Sequence, residues 1–65
     1  MTPGRLVRER REAIGWSQAR LAQAAQTRQP VISRIESGRL NPTVDMLARL
    51  ANAMDAELTL TLLPR

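Results

Sequence analysis

Helix caps and breakers follow one another so closely in this chain that they divide it into four short helical segments. They leave no room for a linker, an internal repeat or a low-complexity tract. Pro3, tolerated in an opening turn, begins a segment that runs to Ile14 and stops at Gly15, a residue at ease in the left-handed position past a helix end. Leu6, Val7, Arg10, Ala13 and Ile14 share its inner stripe, the aliphatic stem of Arg10 covering apolar surface while its head reaches water. Ser17 is suited to cap a second segment, Gln18 to Ala25, in which Leu21, Ala22 and Ala25 recur at helical spacing. After Gln26 and Thr27 a third segment ends at Gly38, with Pro30 in its first turn and Ile32 and Ile35 as inward anchors. Asn41 and Pro42 break the chain again. Thr43 then caps a fourth segment with Asp45 in its first turn, and Val44, Leu47, Leu50, Ala51 and Met54 are its expected buried stripe.

From Glu57 to Leu63 the period changes from helical to two, Leu58, Leu60 and Leu62 alternating with Glu57, Thr59 and Thr61. This pattern predicts a strand, and a lone strand has unpaired backbone groups that a second copy of itself would satisfy. The expected architecture is mainly α: a compact four-helix domain over residues 1–56 and, over residues 57–65, a C-terminal β-strand pairing across a two-fold dimer through Leu58, Leu60 and Leu62.

Sixty-five residues suffice for one domain with a modest core, which a partner subunit would extend. All ten cationic residues are Arg, set against six acids, and the net charge of +4 suits a polyanionic partner. Without Cys or His the chain lacks the usual soft metal ligands, thiol nucleophiles and imidazole bases, so neither a metal nor a cofactor is expected, and an enzyme is a distant third reading. No apolar run approaches the ~20 residues of a membrane span, and Met1 to Arg11 has no signal-peptide core; a cytoplasmic, nucleoid-associated protein without membrane contact is expected.

The stretch Gln18 to Ser37, QARLAQAAQTRQPVISRIES, carries most of the functional signal. Ala22 is small where two helices joined by a tight turn must approach, and Leu21, Ala25, Ile32 and Ile35 set their crossing. The other face of the third segment is polar: Arg28, Gln29, Ser33, Arg34 and Ser37. A helix fits the major groove, where Gln bonds adenine and Arg bonds guanine bidentately.

The run RERREAIGWSQARLAQAA followed by QPVISRIESGRLNPTVDMLARLANAM resembles the lambda-repressor-like (Cro/XRE-type) helix-turn-helix family. The resemblance implies a recognition helix starting near Gln29, with Gln29, Pro30, Ser33 and Arg34 toward base edges. It also implies phosphate contacts from Gln18, Arg28, Arg39 and Asn41, Gln18 buttressing the reader as well, and an ion pair between Arg11 and Glu36 tying the first helix to the third. Gln26 departs from the family's usual Gly, implying strain of about 1 kcal/mol in a left-handed turn. Arg28 departs from its usual hydroxyl cap, with Thr27 available to take over that task and shift the helix start by a residue. The tail AELTLTLL is similar to that of HipB-type antitoxins, which implies a HipA-like Ser/Thr kinase toxin as partner and autoregulation of an operon.

The expected function is therefore a dimeric, sequence-specific repressor of an inverted-repeat operator in double-stranded DNA, as an antitoxin or as a standalone regulator. A toxin-holding module with secondary DNA binding is the competing class. Trp16, just before a cap, reads as a hydrophobic staple or a dimer contact sooner than as a base-stacking residue.

Overall fold

Four helices form, α1 (Pro3–Ala13), α2 (Gln18–Ala24), α3 (Gln29–Glu36) and α4 (Val44–Ala53), in a computed structural model that describes residues 2–64. Met1 and Arg65, at which the two expected segments begin and end, lie outside the described residues. Hydroxyl caps start three of the helices. Thr2, Ser17 and Thr43 each accept a hydrogen bond from the backbone N–H three residues on, at 3.3, 3.0 and 3.1 Å. At α3 the cap position falls to Arg28, which makes no side-chain cap bond. Thr27 does not take over that task, because its own N–H closes the end of α2 on the Ala22 carbonyl at 2.8 Å.

All four helices end in the same paired hydrogen bonds, a six-to-one bond enclosing a five-to-two bond around one left-handed residue. Trp16 N–H reaches the Arg11 oxygen around Gly15 (φ 73°), and Arg39 N–H reaches the Arg34 oxygen around Gly38 (φ 79°). The other two ends place side chains in that region: Gln26 (φ 57°) after α2 and Asp55 (φ 53°) after α4, the latter not foreseen from sequence. α3 stops at Glu36, and Gly38 lies beyond its end as the left-handed residue.

Leu21, Ile32, Ile35 and Leu50 are fully buried, and Val7, Ala22, Ala25 and Met54 complete the core. α3 packs on both α1 and α2, and α4 closes against the same two helices. At the α1–α3 crossing Gly4 is buried against the backbone of Ile35 and Glu36, too near for any side chain.

The expected inner stripes need three corrections. Leu6 is 53% exposed, because it faces an open groove between α1 and α4, and Ala13 is exposed as well. Val44 is 55% exposed, since it opens α4 ahead of Met46 and Leu47, the first residues of that helix to reach the core. Residues 57–64 are the largest departure. No strand is found among the described residues, for this chain offers its tail no second strand with which to build a ladder. Leu58 is half-buried in the groove, but Leu60 is 64% and Leu62 99% exposed, so the three leucines do not lie together on the helices.

Candidate nucleic-acid interface

α2, a tight turn and α3 form one unit locked by buried Leu21, Ala22 and Ala25 on one side and Ile32 and Ile35 on the other. Ile32 and Ile35 point inward, which leaves Gln29, Pro30, Ser33, Arg34 and Ser37 on the opposite stripe of α3 and just past its end. Gln29, Pro30, Arg34 and Ser37 are exposed and Ser33 partly so. Arg28 precedes this helix and Arg39 and Asn41 follow it; all three side chains are exposed.

A chain of hydrogen bonds supports the start of α3 from behind. Arg11 donates to both oxygens of Glu36, from Nε at 2.7 Å and Nη2 at 2.9 Å, and from Nη1 to the Trp16 carbonyl at 2.7 Å. Glu36 accepts a further bond from Gln18 Nε2 at 3.2 Å, and Gln18 Oε1 accepts from Gln29 Nε2 at 2.9 Å. The Arg11 and Glu36 side chains are only 11% and 4% exposed. Burial on its own pushes the Glu36 carboxyl up, but hydrogen bonds from Arg11 and Gln18 and the charges of Arg11 and Arg8 outweigh it and hold the group below its ordinary value. The hydrogen bond to Glu36 raises Arg11 in turn, against the opposing effect of burial. Gln18 is thus joined to both Glu36 and Gln29.

The charges divide sharply along the chain. On α1, Arg5 and Arg8 lie beside Glu9 and Glu12 at 3.3 and 3.5 Å. Arg10 donates to the carbonyls of Met54 and Asp55 at the end of α4. Among the described residues this leaves Arg20, Arg28, Arg34, Arg39 and Arg49 without an acidic partner. Four of those five fall between residues 20 and 39. Glu36 is the only acid between Glu12 and Asp45, and Arg11 already neutralises it. The helix-turn-helix unit therefore presents uncompensated positive charge.

Three features escaped sequence reading. The Arg20 guanidinium stacks over the Trp16 ring, 4.6 Å from its centroid, so Trp16 both packs on the core and orients a cation. Arg10 caps α4, a role with no local signal because its acceptors lie 44 and 45 residues away. Gly4 did carry a signal: a glycine inside a helical pattern commonly marks close backbone approach.

Two short helices packed across a left-handed turn, the second with a polar outward face and flanked by unpaired arginines, define a helix-turn-helix DNA-binding module. A helix-turn-helix family model matches residues 7–60, and the chain belongs to that family, of the Cro/C1 type. Neither a curated protein nor a solved structure gives a significant match. No helix is long and apolar enough to cross a membrane.

Proposed function

We propose that this DNA-binding regulator is a sequence-specific repressor that places α3 in the major groove and occludes a promoter. The carrying observation is the cluster of partnerless cations at Arg20, Arg28, Arg34 and Arg39 around a polar, exposed helix face. In this reading Gln29, Pro30, Ser33 and Arg34 meet base edges, while Gln18, Arg28, Arg39 and Asn41 hold phosphates. Salt titration of duplex binding tests it. Replacing Arg39 by Ala should shrink the slope of log K against log salt by about one unit, because one condensed counterion fewer is released. Arg5→Ala should leave the slope unchanged, since Glu9 already lies beside that guanidinium. An unchanged slope for Arg39→Ala would remove it from the contacts.

The protein is proposed to act in the cytoplasm, on nucleoid DNA, as a two-fold dimer on an inverted repeat, its half-sites about 34 Å apart. Leu60, Leu62 and Leu63, all largely exposed, supply the apolar surface that favours association, and pairing of two 57–63 tails would satisfy their backbone groups. The likeness of that tail to HipB-type antitoxins supports a further role as the partner of a HipA-like Ser/Thr kinase. A neighbouring gene for such a kinase, and co-purification of the two products, would sustain that role; a gene standing alone would leave a standalone repressor.

A further inference from the structure

The hydrogen bonds behind Gln29 have a polarity. A carboxylate only accepts, so Glu36, already held by two Arg11 donors, takes the –NH2 end of the Gln18 amide and repels its carbonyl. The Gln18 carbonyl is thereby turned toward α3, where Gln29 Nε2 donates to it. One of the two Gln29 N–H donors is consumed in that bond. Gln29 retains one N–H and an oxygen with both lone pairs free.

Adenine offers the major groove an acceptor at N7 and a donor at N6, which those two groups complement; guanine offers two acceptors, N7 and O6, which they do not. With the Gln18 amide reversed, Gln29 would accept from it and present two N–H donors, matching guanine instead. We infer that Glu36 is a positioning residue that makes Gln29 a reader of adenine over guanine by setting the direction of the Gln18 amide. This rests on the proposal that α3 enters the major groove with Gln29 over a base edge.

The test begins with binding-site selection by the intact chain, which locates the base pair read by Gln29 as the one whose preference Gln29→Ala erases. Duplexes with adenine or guanine at that position are then titrated with wild type, Glu36→Gln, and the double variant Arg11→Met, Glu36→Gln. The double variant has no uncompensated charge at the former ion pair, so it guards against simple unfolding of the single one. Gln both donates and accepts, so it no longer dictates the Gln18 orientation. The adenine-to-guanine affinity ratio should fall about three- to tenfold. A purely structural defect lowers the folded fraction and scales both affinities alike, leaving the ratio untouched. A wild-type ratio in the folded double variant overturns the positioning role. If wild type selects no sequence, or Gln29→Ala alters no position, the DNA reading itself falls, an outcome distinct from loss of the relay.

Discussion

Gly4 is where α1 and α3 come closest, and a Cβ there would overlap the Ile35 carbonyl oxygen, a backbone atom that cannot turn aside. Gly4→Ala should therefore destabilise the fold by about 1–3 kcal/mol in urea unfolding, although Ala is the better helix former. A stability equal to or above wild type would show that the crossing relaxes freely. The opposite sign is expected at Gln26, whose φ of 57° suits glycine. Gln26→Gly should gain up to about 1 kcal/mol in the same assay, and a loss would mean the side chain makes a contact worth more than the strain. Both positions were legible in part: Gln26 stands where the resembled family carries glycine, whereas the partner of Gly4 lies 31 residues away and only the packed fold reveals it. Glu36 brings a pH dependence. Its carboxyl is held below the ordinary value near 4.5, so the stability it supplies is present above that value and is lost as pH falls through the lower value of the folded state. Thermal melts from about pH 7 to pH 3 should show wild type losing more on acidification than the Arg11→Met, Glu36→Gln variant, and parallel declines would contradict the coupling.

At the scale of elements, helix ends account for most of what the sequence announced. Ser17 and Thr43 cap as their hydroxyls suggested, and Gly15 and Gly38 take the left-handed positions. Local chemistry explains that success, since a cap and its acceptor lie within a few residues of each other. The interactions that join one helix to another were harder to see. Arg10 was expected to cover apolar surface with its stem and reach water with its head, but its guanidinium instead holds two carbonyls at the end of α4. Arg10→Leu would keep apolar cover and leave those acceptors to solvent, costing about 1–3 kcal/mol. Hydrogen exchange should then report fraying at Met54 and Ala56, whose amides close the last turn of α4. Protection equal to wild type would mean that the Schellman bonds alone secure the end. The start of α3 was misjudged for a related reason: Thr27 looked free to cap, but the end of α2 already uses its backbone N–H, and no local pattern shows which neighbouring helix claims a turn residue.

For the whole molecule, the four helices and the helix-turn-helix unit were legible because periodicity and punctuation agree along residues 3–54, while the tail was not. Its alternation was read as a strand, but a strand exists only with a partner, and the single chain leaves residues 57–64 unpaired beside an apolar groove of about 470 Å³. In the dimeric reading, removing residues 57–65 should yield a monomer or loose dimer that holds a half-site weakly, and sedimentation would detect it. A truncated chain that stays a tight dimer with full operator affinity would assign the interface to the helices. The claim that α3 reads bases is tested most directly by selecting binding sites from a random duplex library with wild type, Gln29→Ala and Arg34→Ala in parallel. The expected result is a shared inverted-repeat consensus in which each substitution relaxes one position and weakens cognate binding by about 1–3 kcal/mol. An identical consensus at identical stringency from all three proteins would contradict it.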